Sequence, residues 1–321
     1  MKSPYLPFAT WLRATSVILI LLCHYCAQCD ISIVAMLSQV FNIGVQLFFI
    51  LSGFLVGYKG IPKPYGTWYV KRIKRIFFPY WTFLVVLAIV YVIKGLKIFT
   101  LDWCLLVFGM QGSNVGVWGA EQTWFISVLL VCYLLSPAIL HTVRILGSSK
   151  KHAMVFLATA GVSVLPVLYS LCKEPWVYTL LTPISFYALS CAFGMVYNAK
   201  RSISAASIIG DILIIIAAFG FRFATKVFYD DTIFYNRVVV PYTHMFAACA
   251  IFALYDAAFR KRRVPAAVKF LADISFEIYL YHYMFTVGLC LSIRNCIKRA
   301  PKSTVPGQHR FGFEKPCFCS L

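Results

Sequence analysis

WLRATSVILILLCHY, residues 11–25, lies at the centre of an apolar run over 10–28. A helix of about 20 apolar residues crosses the hydrocarbon layer of a bilayer, which is roughly 30 Å thick. A single segment crosses as a helix because a helix satisfies its backbone hydrogen bonds within itself. The run is therefore predicted to span a membrane, and it carries two ionisable side chains, Arg13 and His24.

The composition of the whole chain agrees with a membrane protein. Of its 321 residues, 61% are hydrophobic and 13% are charged, against roughly 45–50% and about 25% in soluble domains. The mean hydropathy is +0.79. So little polar surface excludes a water-soluble globular protein. The 30 basic residues, against 11 acidic ones, would suggest a nucleic-acid partner in a soluble chain, but in a membrane protein their distribution among the loops indicates orientation.

The other apolar runs predict the remaining spans. Nine runs are long enough to cross, at 10–28, 42–58, 77–93, 124–140, 153–172, 180–197, 204–221, 238–257 and 270–293. The run 101–110 is too short to cross and is predicted to be re-entrant or interfacial. The predicted fold is all-α: a polytopic transmembrane helical bundle of about nine spans, with a membrane domain over 1–293 and an irregular basic tail over 294–321.

Basic residues predict the orientation of this bundle. With the N-terminus inside, seventeen fall in cytoplasmic segments and six on the opposite side. Because Lys and Arg are enriched on the cytoplasmic side, the ratio predicts a multi-pass protein of the inner or plasma membrane with a cytoplasmic N-terminus. The tail 294–321 breaks the pattern, since it carries six more basic residues on the predicted outer side. It suggests a chain truncated or altered before a final helix.

Arg13 and His24 are the first candidate functional residues. They are eleven residues apart, which on a helix is about 20° after three full turns, with a rise of about 16 Å. They therefore share one helical face at different depths. Considered separately, Arg13 would extend to the cytoplasmic interface, and His24 would be a polar residue whose hydrogen bonds are satisfied within the protein. Together they favour a polar cavity, because ionisable side chains inside a membrane are costly without partners.

A cationic cluster precedes the third predicted span, in KRIKRIFFPYW, residues 71–81. Such clusters commonly anchor a helix or contact anionic lipid. The alternative is a phosphate site, because Arg72 and Arg75 lie one helical turn apart and arginine makes forked hydrogen bonds to phosphate.

Two further stretches combine polar and small residues inside apolar runs. GVQLFFILSGFLVG, residues 44–57, contains Ser52 and three glycines, a pattern typical of close helix packing. ISFEIYLYHYMF, residues 274–285, places Ser275, Tyr279 and His282 on one helical face, with Glu277 nearby. Ten of the twelve cysteines lie in or beside apolar segments, which favours packing over disulfides or a metal site. No metal site is predicted.

Five ordered blocks of this sequence resemble one known family. They are Arg13-x10-His24, residues 44–55, the pair Arg72 and Arg75 followed by Pro79, TWFISVLLVCYLLSP at 123–137, and ISFEIYLYH at 274–282. The chain resembles the acyltransferase-3 family of integral membrane acyltransferases, typified by bacterial enzymes that O-acetylate O-antigen and other surface polysaccharides. The resemblance covers residues 8–285, so 1–293 is interpreted as a membrane acyltransferase domain.

The resemblance implies a reaction and a set of site residues. Acyl-CoA, usually acetyl-CoA, would be the co-substrate on the cytoplasmic side, with no bound cofactor, and a saccharide hydroxyl the acceptor on the far side. The partners are thus acyl-CoA, a saccharide and the lipid bilayer, without nucleic acid. Arg13 and His24 would be catalytic, and Arg72 and Arg75 would bind the donor. Candidates for the cavity or the acceptor site are Ser52, Trp124, Tyr133, Ser275, Glu277, Tyr279 and His282.

The sequence also departs from the family pattern. Gln46 stands where many members have Asp, and Gln122-Thr123 precedes Trp124 where some members have His. Most members have ten spans, against nine predicted here. A transporter or flippase of a lipid-linked saccharide would equally need intramembrane polar residues, and an inactive truncated acyltransferase is a third reading. His24 is compatible with a general base and with a covalent acyl carrier.

Overall fold

The computed structural model describes residues 5–29, 31–110, 116–146, 175–198, 202–230, 232 and 234–286. In this part of the chain every regular element is a helix. The α-helices are α1 Pro7–Ala27, α2 Ser32–Phe41, α3 Gly44–Lys59, α4 Tyr65–Ile93, α5 Leu101–Val107, α6 Trp124–Leu146, α7 Pro175–Val196, α8 Ala205–Tyr229, α9 Val240–Phe259, α10 Ala266–Asp273 and α11, residues 275–286. A short 3-10 helix, Glu121–Thr123, leads into α6, and a π-helix, Tyr235–Val239, leads into α9.

The apolar helices confirm a polytopic helical bundle. Among the described residues, six stretches are long and apolar enough to cross a membrane: Pro7–Ala27, Ile33–Lys59, Tyr65–Ile93, Glu121–Ile145, Ala205–Tyr229 and Val240–Phe259. A shorter apolar helix covers Thr182–Val196. The predicted span 153–172, the end of the span 270–293 and the tail 294–321 lie outside the described residues.

Two long helices, α4 and α8, depart furthest from their predicted bounds. Helix α4 begins at Tyr65 instead of residue 77, so the cationic cluster lies on the helix and not before it. Lys and Arg lower the local hydropathy but are good helix formers, which is why the helix runs through them. Helix α8 continues to Tyr229, beyond the predicted end at 221. The short run 101–110 forms α5, whose first turn is capped by the Thr100 hydroxyl.

Helices α3 and α7 cross at close range through small residues. A Cβ built on Gly53 would overlap Ser190 and the Tyr187 carbonyl, and one on Gly57 would overlap the Cys191 backbone. The packing interpretation of the glycine-rich stretch is therefore confirmed at these two positions. Helix α1 packs on α2, α3, α9 and α10, and this places its polar face beside the last described helices.

Replacing Gly57 with alanine is expected to lower the stability of the bundle by about 1–3 kcal/mol or more, because the added methyl group meets backbone atoms that cannot rotate away. The thermal unfolding midpoint in detergent measures this. Gly220→Ala in α8 is the matched control, since no described atom lies within 4 Å of its built Cβ and alanine is the better helix former. Equal midpoints for the two variants would contradict the close crossing.

Candidate active site

Five charged side chains from separate parts of the chain line one cavity of about 130 Å³, which we call the cationic cavity. They are Arg13 of α1, Arg72 and Arg75 of α4, Asp273 of α10 and Glu277 of α11. Ser52, Tyr133 and Ser275 are its polar lining residues, and apolar side chains of α3, α4 and α6 add to the lining. The structure thus brings both predicted arginine sites, Arg13 and the Arg72/Arg75 pair, to one place.

Aromatic rings hold Arg72 at this cavity. Its guanidinium carbon lies 5.4 Å from the centroid of the Trp68 ring and 5.2 Å from that of the Tyr133 ring. Cation–π contacts of this kind orient a guanidinium and leave its N–H groups available. Trp68 and Tyr133 are themselves buried, at 7% and 9% exposure, so the platform is rigid.

The charges around the cationic cavity do not neutralise one another by direct pairing. Three guanidinium groups face two carboxylates, and among the described residues none of these five side chains forms a salt bridge. Lys59, at the end of α3, interacts electrostatically with all three arginines. The cavity therefore has a net positive lining whose N–H donors are free to bind an anionic ligand.

His24 lies at the other end of the same face of α1. Its ring centroid is 4.8 Å from that of His282 and 5.5 Å from that of Tyr283, both on α11. The Nδ1–H of His282 donates to the Tyr279 carbonyl at 2.6 Å, which leaves Nε2 as the lone-pair nitrogen. Within the described residues that buried Nε2 has no hydrogen-bond partner. His24 and His282 form what we call the histidine pair.

A second cavity, of about 480 Å³, lies beside the histidine pair. Its lining includes His282, Tyr25 and Tyr281 together with Glu277. Glu277 also lines the cationic cavity. One side chain of α11 thus borders both spaces.

The remaining predicted residues have different surroundings. Ser275 lines the cationic cavity and its hydroxyl donates to the Ala272 carbonyl at 2.9 Å. The buried Tyr279 hydroxyl donates to the Gln122 carbonyl at 2.5 Å, and the Gln122 amide donates to the Leu280 carbonyl at 2.6 Å. These two bonds join the start of α6 to α11. Trp124 lies away from both cavities and lines a third, smaller one.

Sequence reasoning missed Asp273 and Lys59 as site residues. A usable signal for Asp273 existed: the chain has only 11 acidic residues, and Asp273 and Glu277 are four residues apart inside the predicted span 270–293. Lys59 was grouped with the loop cations that indicate orientation, and nothing in its sequence neighbourhood separates it from them.

The described residues contain no cluster of three or more His, Cys, Asp or Glu side chains that could hold a metal ion. The seven cysteines described there form no disulfide with one another: Cys23, Cys26, Cys29, Cys104, Cys132, Cys191 and Cys249. The residues gathered around the two cavities are instead guanidinium, carboxylate and imidazole groups, which suit anion binding and proton transfer.

Comparison with known proteins gives one match. A family model of acyltransferase family 3, described as an acyltransferase domain, matches residues 6–290. No curated protein and no solved structure matches the chain. The matched range contains α1 to α11 and every residue that lines the two cavities.

Proposed function

The chain belongs to the acyltransferase-3 family of integral membrane acyltransferases, and on that premise we propose that it moves an acetyl or similar short acyl group from acyl-CoA to a hydroxyl of a cell-surface or lipid-linked saccharide. One observation carries the proposal. The cationic cavity and the histidine pair lie along one side of α1, and Glu277 lines both the cationic cavity and the cavity that His282 borders. That arrangement provides an anion-binding end and a proton-accepting end for one extended ligand.

The donor would bind by its phosphates at the cationic cavity. CoA carries several phosphate groups, and Arg72 and Arg75 offer forked N–H donors one helical turn apart. Arg13 of α1 lines the same cavity. On the orientation predicted from the basic residues, this end of the bundle faces the cytoplasm, where acyl-CoA is available.

The thioester would then lie near His24. Eleven residues separate Arg13 from His24, a rise of about 16 Å along the helix axis. An extended pantetheine arm directed from the arginines along α1 and α11 brings the acyl carbon toward the histidine pair. The acceptor hydroxyl would approach the same carbon from the predicted outer side.

His24 can act in two ways in this arrangement, as a general base or as a covalent carrier of the acyl group. As a general base, its neutral imidazole takes the hydroxyl proton while the acceptor oxygen bonds to the acyl carbon. The carbon–sulfur bond breaks, and the proton passes to the departing CoA thiolate. As a covalent carrier, the imidazole nitrogen bonds to the acyl carbon while the carbon–sulfur bond breaks, and the CoA thiolate leaves with the proton of the other ring nitrogen. The acceptor oxygen then bonds to the acyl carbon while the carbon–nitrogen bond breaks, and the hydroxyl proton passes to the imidazole of His24.

His282 would position His24 in either role. We expect His282→Phe to lower kcat about tenfold while leaving the KM for acyl-CoA unchanged, because phenylalanine loses the Nδ1–H bond to the Tyr279 carbonyl that holds the ring against His24. Steady-state kinetics of acyl transfer measure the two constants separately. Tyr283→Phe is the control, since it also borders His24 but keeps its ring. A shift of KM with constant kcat would place His282 in donor binding instead.

The function is tested by comparing saccharide O-acylation in cells with and without this chain, and by transfer of a labelled acyl group from acyl-CoA to the isolated saccharide. Acylation that depends on the chain and on acyl-CoA is the expected result. Saccharide export without any acyl-CoA requirement would favour the transporter. Binding of acyl-CoA without transfer would favour an inactive acyltransferase.

A further inference from the structure

A buried arginine and histidine pair lies outside both cavities described above. Arg222 of α8 is 4% exposed, and its Nη1 group donates to the Gln39 carbonyl at 2.6 Å and contacts Nε2 of His244 on α9. His244 is fully buried. Among the described residues Arg222 forms no salt bridge with a carboxylate. Sequence reasoning had placed Arg222 in a loop, because the predicted span ended one residue before it.

This pair leaves a positive charge uncompensated inside the bundle. Arginine stays protonated in proteins, and a buried charge without a counter-charge is costly in a membrane interior. Bonds to the Gln39 carbonyl and to His244 supply acceptors but no negative charge. A bound anion near this pair would therefore stabilise the protein.

The bond from Arg222 also determines which nitrogen of His244 can donate. A guanidinium is a donor only, so Nε2 of His244 accepts and the ring proton lies on Nδ1. Within the described residues, the buried Nδ1 of His244 has no partner. His244 therefore presents an unused N–H donor that is polarised by the cation behind it.

His244 borders a cavity of about 40 Å³, which we call the small cavity. His244, Thr182, Gln46, Asn42 and Trp124 line it with apolar neighbours. The Thr182 hydroxyl is likewise buried and without a partner among the described residues. The volume suits a group of a few atoms, comparable with one or two water molecules.

The small cavity lies toward the histidine end of the bundle. It is bordered by the first turns of α3, α6 and α9, which on the predicted orientation begin at the outer side. Arg222 also interacts electrostatically with Cys23, the residue before His24. A ligand anchored in the small cavity would thus be held near the predicted site of transfer.

We infer that the small cavity is an oxyanion subsite that holds a carboxylate or phosphate group of the acceptor saccharide, through His244 Nδ1–H and the Thr182 hydroxyl, with Arg222 as the counter-charge. The assignment to the acceptor rests on the proposed function. The anion-binding property rests on the buried charge and the two unused donors alone. Donors fixed in a low-dielectric site favour a negative group over a neutral one.

The test uses the full-length protein in detergent and three saccharide probes: glucose, glucuronate and glucose 6-phosphate, at equal concentration and matched ionic strength. We expect one or both charged sugars to raise the thermal unfolding midpoint by about 2 °C or more over glucose. The more effective of the two identifies a carboxylate or a phosphate ligand. Equal midpoints with all three sugars would overturn the proposal.

Two variants separate the subsite from general charge effects. Gln46→Glu keeps the size of the side chain but adds a carboxylate to the lining, so it is expected to abolish the response to charged sugars. Arg222→Gln should remove that response as well. Arg262→Gln, an exposed arginine after α9, is the control and should keep it. A response unchanged in Arg222→Gln or Gln46→Glu would refute the subsite.

These readouts do not depend on acyl transfer. If the charged sugars stabilise the protein as expected but no acyl group is transferred, the subsite stands and the proposed function fails. If acyl transfer occurs without any such stabilisation, the proposed function stands and the subsite fails.

Discussion

Replacing His24 with alanine or phenylalanine is expected to abolish measurable acyl transfer while leaving the protein inserted and folded. The loss would be at least about 10²–10⁴-fold if His24 is a general base, which is the usual contribution of such a group. It would be complete if His24 carries the acyl group. Transfer of a labelled acyl group from acyl-CoA measures the rate, and the thermal unfolding midpoint verifies the fold.

His141→Phe is the matched control for this prediction. His141 lies on α6 with an exposed side chain and borders none of the three cavities, so its loss should leave transfer unchanged. Unchanged transfer by the His24 variants would exclude His24 from the reaction. Rapid acid quenching separates its two roles, because label retained on the protein, and absent from the His24 variants, indicates an acyl-imidazole.

Replacing Arg72 and Arg75 together with glutamine is expected to remove stabilisation of the protein by CoA. Each forked bond to a phosphate is worth about 1.5–3 kcal/mol, which corresponds to a loss of affinity of about 10- to 150-fold per arginine. The KM for acyl-CoA should rise accordingly, with a smaller change in kcat. The affinity for CoA is measured in detergent from the shift of the thermal unfolding midpoint as a function of CoA concentration.

Lys74→Gln distinguishes a specific site from general attraction. Lys74 belongs to the same cationic cluster, is exposed, and does not line the cationic cavity. The Lys74→Gln variant should therefore bind CoA only slightly more weakly than the unchanged protein, and this small difference should decrease as salt is added. An equal loss of affinity in Lys74→Gln and in the double arginine variant would contradict phosphate binding at the cationic cavity.

The class of fold could be read from the sequence because each membrane span is a local property. Hydropathy over some twenty residues decides whether a segment can cross, whatever its neighbours are. The helix ends were less predictable. Lys71 to Arg75 lowered the hydropathy and placed the predicted start of the span at residue 77, although α4 begins at Tyr65 and runs through them. Helix α8 likewise extends past Arg222.

The candidate site was predictable where its residues share one helix. Arg13 and His24 lie on one side of α1 as their spacing predicts, since Arg13 lines the cationic cavity and His24 contacts α11. The role of Tyr279 was not visible, because its hydroxyl bonds to Gln122, more than 150 residues earlier. Whether such a tyrosine faces a cavity or joins two helices depends on their packing.

The sequence by itself determined that this chain is a polytopic helical membrane protein, which residues are ionisable within its spans, and which family it resembles. Only the tertiary structure decided which of these residues meet: Arg13 with Arg72 and Arg75 at one cavity, His24 with His282, and Arg222 with His244. The physical reason is that hydropathy and helical periodicity act along one segment. Contacts between helices depend on which faces can approach, as α3 and α7 do through Gly53 and Gly57.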